Sequence, residues 1–172
     1  MKKPICTSLF FISGILLFIR ISSAQTPDWI VTQNHDSSAS NIPMRLTTDG
    51  AGNVTVLNGF YAANPFVNLL KYNASGSLTN IFYLDSIHVP YDIISDASGN
   101  YYVAGAGSIV FNALLTVQKI SSSGVVQWTY RDLHDIGLSV DIATRIMRDA
   151  SGNIYITGYW RDGFNADVIT IK

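Results

Sequence analysis

Glutamate is missing from this 172-residue chain: its twelve acids are all aspartate, and charged residues of both signs make up only 13% of it. That bias removes a good helix former and leaves a turn former in its place. Cysteine occurs once, at Cys6, which excludes an intramolecular disulfide framework. A formal net charge of −1 excludes recognition of nucleic acid through a basic face. No G-x-S-x-G elbow and no phosphate-cradling glycine loop is present, so neither a serine-triad nor a nucleotide reading has a starting point. Helical periodicity is absent beyond residue 24 as well, and no hydrophobic run there approaches the roughly 20 residues of a membrane span.

The one long apolar stretch lies at the N-terminus. Lys2 and Lys3 precede Ile5–Ile19, and Ser22-Ser23-Ala24 follows with small side chains. This order reads as a secretory signal peptide over residues 1–24, cut after Ala24. A retained span is the competing reading, but Arg20 ends the run short of bilayer length. Cleavage would remove the only thiol and leave residues 25–172, with eight Lys and Arg against twelve Asp. The expected location is secreted or cell surface, with no membrane span in the mature chain.

Beyond the leader the chain repeats. Asp49-Gly-Ala-Gly-Asn53, Asp96-Ala-Ser-Gly-Asn100 and Asp149-Ala-Ser-Gly-Asn153 share the pattern D-x-x-G-N. Each stands between two runs alternating at period two, such as Tyr91–Ile94 before and Tyr101–Gly105 after, and so reads as the loop of a β-hairpin. Asp bonds backbone groups two residues on, and Gly accepts positive φ where the chain reverses. A calcium loop competes for the same pattern but needs several carboxylates, and each loop offers one. A third run ends in Lys71, Lys119 and Lys172, and polar turns at Asn73–Gly76 and Ser121–Gly124 lead into aromatic fourth runs around Phe82 and Trp128. Asp28–Gln33 resembles such a fourth run and is expected to complete the last unit.

The fold expected is therefore all-β, with β-propeller-type four-stranded blades in about three repeats. The blade units are about 41–83, 91–130 and 141–172, with an N-terminal strand at 28–33, all within a repeat region at 25–172. Three blades fall short of the roughly four to eight of a closed ring. The chain accordingly reads as an incomplete propeller, a fragment of a longer protein.

The series D-A-S-G-N-x-Y-x-x-G, a strand ending in Lys, an S-x-S-G turn and an aromatic strand resembles the SBBP-type β-propeller repeats of secreted bacterial proteins. The resemblance spans nearly all of residues 28–172, and the first copy departs from it with Thr-Val-Leu-Asn at 55–58. It implies a propeller fold and further blades or a surface-sorting domain elsewhere, and no shared reaction.

Candidate chemistry gathers on three histidines. His35, His88 and His134 each follow an aromatic of a fourth run (Trp29, Phe82, Trp128) by six residues, and His35-Asp36 and His134-Asp135 add carboxylates. As copies on inter-blade connections, His35, Asp36, His88, His134 and Asp135 are the expected ligand-binding residues. Converging imidazoles could also hold a metal, but repeat spacing alone brings no ligands together, and no metal or cofactor is assigned. Paired carboxylates for glycoside hydrolysis could come from Asp36, Asp85, Asp132, Asp135 and Asp162, yet no spacing fixes a pair. The sequons at Asn53 and Asn73 are assigned no modification. The function expected is an exported binding or scaffolding module for an extracellular protein or glycan. The alternatives are a propeller-based hydrolase or lyase with its site on the His-bearing loops, and a structural array with no ligand.

Overall fold

A computed structural model describes residues 9–12, 15–18, 27–33, 40–61, 66–109, 112–132, 140–162 and 165–172. Strands and turns account for the regular structure there, and no helix occurs among the described residues. Two compact units divide the chain, residues 1–30 and 31–172. In the first, β1 (Leu9–Ile12) pairs antiparallel with β2 (Ile15–Phe18). No helix among the described residues is long and apolar enough to cross a membrane.

Three antiparallel sheets make up the second unit. The first runs β3 (Ser40–Thr48), β4 (Val54–Tyr61), β5 (Phe66–Tyr72) and β6 (Leu78–Leu84) in simple up-and-down order. The second repeats it with β7 (Val89–Ser95), β8 (Tyr101–Ile109), β9 (Asn112–Ile120) and β10 (Val126–Arg131). A third sheet has β11 (Ile142–Arg148), β12 (Ile154–Asp162) and β13 (Asn165–Ile171).

The repeated loop fixes each first hairpin through its aspartate and asparagine. Asp96 Oδ1 accepts the amides of Ser98 and Asn100 at 2.9 Å each, and Oδ2 accepts the side-chain amide of Asn100 at 2.9 Å and the hydroxyl of Tyr102 at 3.2 Å. Asp149 holds Asn153 and the Tyr155 hydroxyl in the same way. Gly52, Gly99 and Gly152 carry φ of 79°, 76° and 90°, the left-handed region that a side chain disfavours. Aspartate, glycine and asparagine thus form one turn-locking set in all three loops, and the tyrosine two residues later joins it in the second and third, where the first has Thr55. Each carboxylate is taken up by donors of its own turn.

The sheets stack face to face with the second in the middle. Along β8 the side chains alternate: Tyr101 and Val103 enter one core with Leu57, Val67, Leu69, Leu84 and Ile93, while Tyr102 and Ala104 enter another with Leu115, Val117, Ala143, Ile146 and Ile156. Both faces of β8 are buried from Tyr101 to Gly107, so the alternation expected over Tyr101–Gly105 is one of core with core and not of buried with exposed. First strands are in contact across each junction, β3 with β7 and β7 with β11.

Two expectations are corrected. Residues 27–33 form no strand, and the third sheet has three strands among the described residues, so the 28–33 strand expected to complete it is not formed. A short segment becomes a strand only where a neighbour takes up its backbone groups. No sheet is closed: β3, β7 and β11 are edges, as are β6, β10 and β13. The second correction concerns register. Lys71 pairs with Asn80 and Lys119 with Trp128, while Leu69 pairs with Phe82 and Val117 with Tyr130. Phe82 therefore corresponds to Tyr130, and Trp128 to Asn80. The slip of two residues keeps each side chain on its face, which is why alternation alone did not reveal it.

Candidate functional site

The first strand of each of the three sheets of the second unit carries a bulge at the same place, between Pro43 and Arg45, Pro90 and Asp92, and Ala143 and Arg145. Bulges re-aim the side chains that follow them. Arg45, Asp92 and Arg145 each stand four residues before the Asp of the turn motif, so the bulges present one row of alternating charge along the strands that meet at the sheet junctions.

Asp92 is the junction piece of this row. Its Oδ2 accepts the amide of Ile146 in β11 at 3.0 Å, and its Oδ1 accepts the amide of Ile93 at 3.0 Å. Arg45 Nε approaches the same carboxylate from β3 at 3.9 Å. One mostly buried carboxylate thereby touches all three sheets. The guanidinium of Arg45 donates to Met44 O at 2.9 Å, and that of Arg145 to Thr144 O at 2.8 Å, so both are held over the bulge while staying exposed. Beside the row, Thr47 and Ser95 hydroxyls share a hydrogen bond of 3.0 Å across the first junction.

Each arginine borders a shallow recess on an outer face of the stack. Pro43, Met44, Arg45, Leu46 and Val56 line one of about 400 Å³, and Arg145, Met147, Tyr155, Thr157 and Thr170 contribute to another of about 410 Å³. Tyr155, which lines the second, has Lys172 Nζ 5.6 Å from its ring centroid. The hydrogen bond that Tyr155 donates to Asp149 is the main reason its phenol titrates above the ordinary range, and burial adds to it. An apolar lining with one guanidinium, joined in the second recess by the Tyr155 phenol, suits a planar or polyhydroxylated ligand bearing acceptors.

Of the five expected ligand-binding residues, the structure describes His88. It is exposed, directly precedes β7 and donates its backbone N–H to Ala106 O at 2.9 Å. His35, Asp36, His134 and Asp135 lie outside the described residues. The register correction bears on them, because the six-residue spacing was counted from Phe82 and Trp128, which are not equivalent. Asp85 accepts hydrogen bonds from Ser86 (3.1 Å) and from Gln118 (3.5 Å). No group of three His, Cys, Asp or Glu able to hold a metal occurs among the described residues.

Sequence reasoning missed the row Arg45, Asp92 and Arg145. Its signal was available: a charged residue four places before each D-x-x-G-N, with the sign changing from copy to copy. No family model matches the chain, and no curated protein matches it.

Proposed function

We propose that this chain is an exported module of β-propeller type, related to the SBBP-type repeats it resembles, that binds an extracellular protein or glycan without transforming it. The single observation that carries the reading is the repetition of one sheet, with the same turn-locking set and the same first-strand bulge, in a stack whose first strands meet. That plan is how propeller blades surround an axis, and on it the row Arg45, Asp92 and Arg145 faces the axis. Ligands of such folds meet converging first strands and loops, and here those strands offer the guanidinium groups of Arg45 and Arg145. Residues 1–24 supply the export signal in this reading.

The test is binding of the purified chain to arrays of neutral and acidic glycans and of secreted proteins. The expected result is a ligand whose affinity falls at least tenfold in the double variant Arg45→Ala, Arg145→Ala, with the far-UV spectrum unchanged. Turnover of a glycoside or ester by the unmodified chain would replace this reading with the enzyme alternative. Export is checked separately by sequencing the N-terminus of the secreted product, which should begin at Gln25.

A further inference from the structure

Among the described residues the third sheet has three strands where the other two have four, and the second sheet shows the consequence. Trp128 and Tyr130 on β10 are 41% and 40% exposed. They look toward the third sheet, since the Trp128 ring lies 6.1 Å from that of Tyr102, a member of the core shared with it. The counterpart of Tyr130 in the first sheet, Phe82, is packed against the first core, and the β9–β10 turn at Gly124 closes over its ring. A fourth strand beside β13 would cover Trp128 and Tyr130 as β10 and its turn cover Phe82. β13 is the edge of its sheet, with Val168 83% exposed, and such an edge is a template for another strand.

One segment has the pattern and the tether for that strand. Asp28–Gln33 alternates as the fourth strands do, yet forms no strand, and Ile30 and Val31 are exposed. Six residues (34–39) join it to β3, where four (85–88) join β6 to β7 and ten (132–141) join β10 to β11. Both of those connections lead from a fourth strand to the first strand of the adjacent sheet. By the same rule, residues 28–33 belong to a sheet lying on the outer face of the first one. Within a single chain the third sheet is not there, because the second sheet separates the two. A fully extended tether of this length reaches about 25 Å. It would have to pass around the middle sheet, over two sheet spacings of about 10 Å each and some 14 Å of strands.

We propose that the partner is a second copy of this chain: residues 28–33 of each copy pair with β13 of the other, and two three-sheet stacks close head to tail into one ring of six sheets. The proposal rests on the propeller reading above, and six sheets fall within the roughly four to eight of closed rings. The outer faces continue the junctions already inside the chain. Leu46, 62% exposed, corresponds to Ile93 of the first core, and Met147, 61% exposed, corresponds to Ile94, which packs against the second. Leu70 and Tyr72 on the outer face of the first sheet are already buried within the chain. The contact is therefore carried by the first-strand side of that face and by the exchanged strand. Closure sets Arg145 beside Arg45 of the second copy, so added salt strengthens the pair by screening two like charges.

Sedimentation and light scattering of the full chain at micromolar concentration should give the mass of two chains, with the two-chain fraction rising with salt. The double variant Ile30→Asp, Val31→Asp should give one chain that keeps the far-UV signal of its three sheets, because both residues are exposed and outside those sheets within a single chain. Hydrogen exchange should slow at 28–33 and at 165–171 only where the mass is doubled. A one-chain mass, or a doubled mass that survives the double variant, overturns the exchange. Slow exchange at 28–33 in a single chain also overturns it and means that the chain closes on itself. A two-chain particle with both segments protected but no axial hole in small-angle scattering supports the exchange and overturns the propeller reading instead.

Discussion

Asp96 concentrates in one side chain what makes the repeat fold. Four donors converge on its carboxylate, and Ala in its place leaves two backbone amides of the turn to water and frees Asn100 and Tyr102. With the site partly solvated, the loss is about 1–3 kcal/mol, read as a lower urea midpoint with the slope of the transition unchanged. The same bonds set the acid limit of the fold. Burial raises the Asp96 pKa, but the side-chain bond from Asn100 and the amides of Asn100 and Ser98 outweigh it, and the net shift is downward. Asp49 and Asp149 are also lowered, chiefly by the side-chain bonds from Asn53 and Asn153. A carboxyl with a folded pKa below its unfolded one contributes stability that is complete above the unfolded value, near pH 4, and lost as pH falls through the folded value. Stability should therefore hold from neutral pH down to about pH 4 and fall below it. Asp96→Ala, measured by urea unfolding at a series of pH values, should flatten that acid limb.

Strands and turns were readable because period-two alternation and the D-x-x-G-N loop are local signals, and β3–β5, β7–β9 and β11–β13 fall where those signals put them. Pairing across the fourth strands was not readable in the same way. An aromatic at Phe82 and another at Trp128 look equivalent, but register is set by the length of the turn before them, and Tyr72 pairs with Leu78 as Ile120 pairs with Val126. The bulges were equally silent, since their trace in sequence is a charged residue whose sign changes between copies. One consequence of the bulge lies at Gly158. Its position in β12 is so close to β11 that a Cβ there would fall on the carbonyl oxygen of Ile142, and one at Gly105 would fall on that of Val89. These glycines are required by close backbone approach, unlike the turn glycines. Gly158→Ala should cost about 1–3 kcal/mol through displacement of the first strand, whereas Gly50→Ala, which meets open space, should change the melting temperature little.

Across the whole molecule the question is what ties three open sheets into one stack. Apolar burial supplies most of the cohesion, but the two junctions differ in their polar links. The first has Thr47 with Ser95 and the Thr55 hydroxyl donating to that of Tyr101 at 3.1 Å. The second depends on Asp92, whose carboxylate accepts the amide of Ile146 across the junction. The ion pair from Arg45 to the same carboxylate is long and half exposed, so Arg45→Ala should cost less than about 1 kcal/mol. Asp92→Ala leaves the amide of Ile146 unpaired in a mostly buried place, a loss of about 1–3 kcal/mol. The two variants also differ in where the loss is felt. With Asp92→Ala, hydrogen exchange should quicken through β11, β12 and β13 while β4, β5, β8 and β9 keep their protection, because the third sheet detaches before the other two unfold. If exchange rises evenly over all three sheets, the stack unfolds as one unit and Asp92 supports it no more locally than an apolar core residue does.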